Sequence, residues 1–352
     1  MIKNTDIRRH CSLVILTLTG RFCRSLLAFT VMMAAVQLNA QVTTSKKVES
    51  SLAGKTTITW FASFPNQSGK SNNNFFKRLG DIVLGEQPPL LSRPVAVTAA
   101  GINSVYIADQ GRGEIILTGM ASSQGISRFN PKEEKIASIA GLCILPGGKI
   151  LFTDSGNNGL FVKSARNNYL PLNDSLKLEQ PTGVAWSPIA GEIWVIETKA
   201  HCITVLDQDG IKLRSVGKRG TGPGEFNFPT HIWIDDSGMA YITDAMNFRV
   251  QLFNNKGEFI LCFGKQGDAT GYFARPKGVA TDSRGNIYVA DALLNSIQVF
   301  DHAGKFMHYF GIQGSGREEF WMPNGIFIDK EDFLYIADSY NSRIQVFKIE
   351  NR

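Results

Sequence analysis

Histidine and cysteine are scarce: of 352 residues, five are His and five are Cys. No two cysteines form a CxxC pair, which removes the commonest zinc and dithiol signatures. No GxSxG marks a hydrolase elbow, and no GxxxxGK[ST] marks a phosphate loop. AGKTT at 53–57 copies only the tail of such a loop, because Glu49 stands where its first glycine belongs. No apolar stretch reaches the roughly 20 residues that a membrane span needs. SLLAFTVMMAAVQL, from Ser25 to Leu38, follows a segment with Lys3, Arg8, Arg9, Arg21 and Arg24 against a lone Asp6. That order reads as an export signal over residues 1–40, cut after Ala40. The alternative is an uncleaved anchor, the one membrane attachment the sequence then implies.

Setting residues 1–40 aside leaves 32 Lys and Arg against 30 Asp and Glu. The pI near 9.0 therefore belongs largely to the leading segment. A near-neutral body on an exported chain argues against a nucleic-acid partner. Three cysteines remain, Cys143, Cys202 and Cys262. They read as small buried hydrophobes in strands; one disulfide with a leftover thiol stays open.

Glycine is abundant, with 34 residues. GKRGTGPGEF, Gly217 to Phe226, would suggest a phosphate cradle if it stood alone. However, GKRGTGPGEFNFP (217–229) has two counterparts, GKQGDATGYFARP (264–276) and GIQGSGREEFWMP (311–323). Each leads into one of three similar segments, 228–253, 275–300 and 322–347. Their prolines Pro229, Pro276 and Pro323 are 47 apart, and so are Asp244, Asp291 and Asp338. A phosphate loop has no reason to recur with a fixed period, so the stretch reads as a joint in the chain. The pattern continues upstream in weaker form, with acidic markers at Asp109, Asp154 and Glu197.

Each of the six units reads as four short strands. Proline starts the first, where a missing donor does least harm. An alternating strand such as IYVAD or LYIAD follows, then SIQVF or RIQVF, a glycine hairpin and an outer strand. Repeated four-stranded units of this length define a β-propeller. The expected fold is all-β, a six-bladed propeller over residues 90–352. Residues 41–89 supply a closing strand, a short helix and a linker. The closing strand is TTITWFASF, Thr56 to Phe64, which has no unit of its own. It can supply the outer strand that the sixth unit lacks. FFKRLGDIVLG has helical spacing through Phe75, Phe76, Leu79, Ile82 and Val83.

The P-x-G-[VI], [IL]-Y-[VI]-A-D, N-x-R-[VI]-Q-[VL]-F and F-G-x-x-G elements resemble the NHL-repeat family of propellers, over about 90–347 and most strongly in the last three units. The sequence is also similar to exported bacterial six-bladed members. The resemblance implies several functions. Some relatives are lyases with zinc held by histidines around the channel, and some are lactonase-like with a carboxylate-held metal. Others bind RNA, and exported ones join envelope assemblies, some with electron-transfer proteins.

The residues favour binding over catalysis. The periodic acids are expected to accept backbone N–H groups at turns. Asp207-Gln208-Asp209-Gly210 lacks the later ligands of a calcium loop. A histidine-held zinc needs three ligands. His302 and His308 fall away from the axis, His201 falls beside a loop of the third unit, and only His231 can face the channel. No metal or other cofactor is expected. Thr182, Thr230, His231, Lys277 and Asn324 follow the leading prolines and are expected at the channel mouth.

The loops AMNFR, ALLNS and SYNSR place Met246, Phe248, Leu293, Leu294 and Tyr340 near Asn247, Arg249, Asn295, Asn341 and Arg343. They form a partner-binding patch, or else several tuck between blades and leave the Arg and Asn tips exposed. The expected protein is a monomeric, exported, non-enzymatic binding module with a protein or glycan partner of the cell envelope. The alternative is a metal-dependent lyase or hydrolase using His231 in the channel.

Overall fold

The computed structural model describes residues 56–65, 89–119, 127–129, 136–163 and 169–351. The expected signal segment and the helix at 75–85 lie outside the described residues.

Six four-stranded antiparallel sheets form the blades. Their inner strands are Pro94–Ala99, Ile139–Ile144, Pro181–Ser187, Pro229–Ile234, Pro276–Thr281 and Pro323–Ile328, and these number blades 1 to 6. Each inner strand packs beside the next, and Pro323–Ile328 packs beside Pro94–Ala99, so the ring is closed. Closure uses the early strand. Thr56–Phe64 pairs antiparallel with Arg343–Asn351, from Thr56 opposite Asn351 to Phe64 opposite Ile344, with a bulge between Trp60 and Ala62. This covers the edge that blade 6 would otherwise expose.

The hydrophobic core is six wedges, one between each pair of neighbouring sheets. This geometry corrects the expected alternation of the second strands. Ala240–Asp244 and Ile287–Asp291 are buried at every residue. A sheet clamped between two others has no wet face, so β-branched and aromatic residues run continuously. Alternation survives in outer strands, as in Phe259–Phe263.

The first hairpins repeat their own chemistry. Asp235, Asp282 and Asp329 each accept two backbone N–H groups of their turn and a tyrosine hydroxyl, from Tyr241, Tyr288 and Tyr335. Burial beside these carboxylates pushes all three phenols upward.

The glycine-rich stretch is a packing joint. Phe226, Phe273 and Phe320 are fully buried. Each lies against Gly217, Gly264 or Gly311, where a Cβ would meet the ring at 2.3, 2.3 and 2.4 Å. The three glycines also have φ of +83°, +92° and +92°. Only glycine satisfies both demands. Three parallel pairings close the loops, at Arg219 with Phe226, Gln266 with Phe273, and Ile312–Gln313 with Glu319–Phe320.

Cys143, Cys202 and Cys262 are free thiols. All three lie in strands, but only Cys143 is fully buried, and its thiol is pushed up to about 12 by burial. Cys262 is exposed, because its strand is the outermost of blade 4.

Candidate functional site

The periodic acids fasten each inner strand to its own blade. Asp109, Asp154 and Asp291 accept N–H groups from two successive residues before the strand, and Glu197, Asp244 and Asp338 from one. In blades 4 and 6 the same carboxylate anchors a clamp. Arg249 Nε donates to Asp244 at 2.8 Å while its guanidinium reaches the carbonyls of Thr221, Gly222 and Glu225, each at 2.8 Å. Asn247 bridges Asp244 and Gly220 O, and Gln251 bridges Asp244 and Glu225 O. Arg343, Asn341 and Gln345 repeat this around Asp338 and residues 314–319. The N-x-R-x-Q spacing is thus a device for holding the glycine connector.

This corrects the expected exposure of the loop tips. Arg343 is 2% exposed. Arg249, Asn341 and Arg343 face inward, and Asn295 Oδ1 accepts the N–H of Met322 at 2.9 Å. Phe248 and Leu294 are half-buried, while Met246 and Tyr340 are exposed. A buried guanidinium with five fixed donors satisfies several carbonyls at once, which no apolar residue can do.

Blade 5 departs from this pattern. Leu294 and Ser296 stand where blades 4 and 6 have Asn and Arg. Asp291 keeps only backbone donors, from Ala274, Arg275, Leu293 and Leu294, and burial raises its pKa despite them.

Beside this blade, on the face where the inner strands begin, lies a cavity of about 610 Å³. Its wall includes Phe228, Met246, Phe248 and Leu293, with Thr230, Lys277 and Arg275 as its polar members. Phe228 is held at φ 50° by its N–H donating to His201 Nδ1 at 3.1 Å, and the two rings meet at 4.4 Å. Farther round this face the exposed Trp321 and Tyr340 touch at 5.6 Å. Sequence reasoning missed Phe228, Trp321 and Arg275. Their signal was position, one or two residues before a leading proline.

At the channel, the structure brings four of the five expected residues together. His231 Nδ1 lies 3.1 Å from Thr230 Oγ1 and its ring hydrogen-bonds to the Asn324 side chain. Lys277 comes from the intervening blade. Confinement among protein atoms, then the Lys277 charge, hold His231 down at about 3, against the weaker pull of Asn324. Lys277 is lowered to about 8 by burial and by Arg275. Thr182 is committed elsewhere, 2.7 Å from Thr198 Oγ1, which itself donates to Pro229 O. Deeper along the strands, Trp233 of blade 4 meets Phe327 of blade 6 edge-on at 5.4 Å. Blade 5 has only Ala280 at the corresponding position, which leaves room for that contact.

These residues do not fit the histidine-held zinc that the family resemblance implies for some members. His231 is the one imidazole in the cluster, and the neighbouring ammonium repels a cation. Among the described residues no group of three or more His, Cys, Asp or Glu is placed to hold a metal.

A closed ring of six four-stranded blades, each opened by a tethered proline strand, defines a six-bladed propeller. A family profile described as a 6-bladed beta-propeller matches residues 147–240 and 278–351. NHL repeat-containing protein 3 of Homo sapiens is 33% identical over 74 residues, 20% of this chain and 21% of that protein. The chain therefore spans about a fifth of that relative's length. With the six-bladed architecture, these matches support an NHL-type propeller family. Two solved structures share the fold. An auxiliary nutrient binding protein from Bacteroides thetaiotaomicron VPI-5482 has a TM-score of 0.61 at 15% identity, over 85% of this chain and 78% of that one. Virginiamycin B lyase from Staphylococcus aureus has a TM-score of 0.54 at 17% identity, over 73% and 95%. At these identities the likeness is one of fold alone.

Proposed function

We propose that this propeller is an exported, non-enzymatic binding module of the cell envelope, and that its ligand seats in the cavity between blades 4 and 5. The observation that carries this reading is the concentration of exposed apolar side chains at and around that cavity. Met246 and Leu293 are 54% and 55% exposed, and Phe228, Trp321 and Tyr340 are 40% or more exposed on the same face. A soluble surface gathers such residues where something covers them. Trp321 and Tyr340 would form the rim on which a protein or glycan partner rests. Export rests on the basic-then-apolar order of residues 1–40. The Bacteroides protein of the same fold, described as an auxiliary nutrient binding protein, agrees with a binding role. A channel-centred hydrolase or lyase is disfavoured because His231, at about 3, is a weak base at neutral pH.

The test is native mass spectrometry of protein purified from its own envelope, beside Leu293→Arg and Tyr340→Ala variants. A bound component recovered with the parent and lost from Leu293→Arg supports the reading. Equal recovery by every variant would move the ligand off this face.

A further inference from the structure

We propose that the cavity between blades 4 and 5 takes an amphipathic organic anion, with its carboxylate at the Lys277 ammonium and its apolar body against Phe228, Met246, Phe248 and Leu293. This rests on the cavity being the ligand site, and adds the chemical class of the ligand.

The argument is one of unmatched charge. Among the described residues, ion pairs join Arg112, Arg128, Arg214, Lys218, Arg249 and Arg343 to carboxylates. Neither Lys277 nor Arg275 is in any of them, and no carboxylate lines the cavity. Lys277 is half-buried, on an inner strand fixed by Pro276 and by Thr243 Oγ1 donating to its own carbonyl at 2.7 Å. The chain therefore holds an ammonium in place with a cation beside it and, among the described residues, no counter-charge. The groups facing it are Arg275, which adds positive charge, and His231, which is neutral. Such a charge in a confined site is unfavourable until an anion arrives. Apart from Thr230 the rest of the wall is apolar, so a bare inorganic anion would leave most of the cavity in contact with water. A volume of about 610 Å³ suits an acyl chain or a small ring system bearing one acid group.

Anilinonaphthalene sulfonate, a fluorescent amphipathic anion, is the probe, and decanoate, decanol and decyltrimethylammonium are the competitors. Decanoate should displace the probe at about ten-fold lower concentration than decanol, the size of effect one charge-assisted contact supplies. That preference should vanish in Lys277→Met and persist in Lys277→Arg. Circular dichroism confirms that both variants fold. If decanol and decanoate compete equally in the parent, the anion inference falls while the cavity remains a ligand site. If the probe binds Leu293→Glu, which puts a repelling carboxylate in the cavity wall, as well as it binds the parent, the cavity reading itself falls, and the inference with it.

Discussion

Arg343 Nε and Asp338 Oδ2 lie 2.7 Å apart with both side chains almost fully buried, and Arg249 with Asp244 repeats the pair at 2.8 Å. In each case the guanidinium spends its remaining donors on carbonyls of the glycine connector. Arg343→Ala would leave Asp338 without its counter-charge and take the guanidinium donors from the carbonyls of Ser315, Gly316 and Glu319, of which Glu319 keeps Gln345. Removing one partner of a buried pair costs about 3–5 kcal/mol. Urea denaturation should show a loss of that order, and a smaller one for Arg249→Ala, whose side chain is 11% exposed against 3% for Arg343. A loss below about 1 kcal/mol, the scale of a surface ion pair, would show that the clamp is ornamental.

Blade 5 offers the reverse experiment. Leu294→Asn with Ser296→Arg rebuilds the clamp residues around Asp291. The connector at 264–275 has the same parallel pairing and the same Gln298 contact to Tyr272 O as its counterparts. The new guanidinium would meet a carboxylate whose pKa burial has raised. The double variant should gain about 1–3 kcal/mol, the scale of hydrogen bonds to charged groups. A destabilised double variant would mean that Leu294 fills the space the guanidinium needs.

Much of this architecture was legible in the sequence because propellers repeat. The 47-residue spacing of proline and aspartate exposed the blades, and the surplus strand Thr56–Phe64 exposed the closure. The role of the acids was half legible. Asp109, Asp154 and Asp291 do accept N–H groups of their own turns. All six, however, accept from residues ahead of the inner strand, partners 16 to 18 residues away that turn chemistry did not suggest. The orientation of Arg249 and Arg343 was not legible. Charged residues after a turn are solvated by default, and only the carbonyls of a loop distant in sequence turn them inward. Their recurrence with Asn and Gln at fixed spacing was the available signal. The cavity was half legible. Met246, Leu293 and Lys277 were marked, but Phe228 and Arg275 precede their prolines and read as ordinary strand approach.

His231 and Lys277 give opposite ends of a pH profile with the same sign. Both are bases whose folded values are depressed, so the unfolded chain binds more protons and stability rises with pH across each window. For His231 the window runs from about 3 to the ordinary 6.5, and for Lys277 from about 8 to the ordinary 10.5. Carboxylates contribute to the acid limb as well, so the informative quantity is a difference. The melting temperature of His231→Asn minus that of the parent should grow as pH falls from 6.5 towards 3. Lys277→Met should exceed the parent most below pH 8, with the gap closing towards 10.5. A gap independent of pH would mean that neither group is confined as the structure shows.

The closing strand makes the last prediction. Trp60 packs against the wedge between blades 5 and 6, donates from Nε1 to Gln345 Oε1 at 3.2 Å, and carries the Arg317 guanidinium 4.3 Å from its ring centroid. Gln345 also ties the connector to Asp338, so the velcro strand and the clamp of blade 6 share one side chain. Trp60→Ala should therefore cost about 3 kcal/mol, the low end for a large aromatic truncation because the ring is only partly buried. Its effect should be less than additive with Gln345→Ala, since both remove the same bond. Deleting residues 56–64 goes further and leaves the backbone of Arg343–Asn351 unpaired along an open edge. Light scattering should then report dimers or larger species from edge pairing, and a synthetic TTITWFASF peptide should return the protein to its original size. A deletion variant that stays monomeric with an unchanged melting temperature would show that the ring closes without its nine-residue latch, contrary to the pairing of Thr56–Phe64 with Arg343–Asn351.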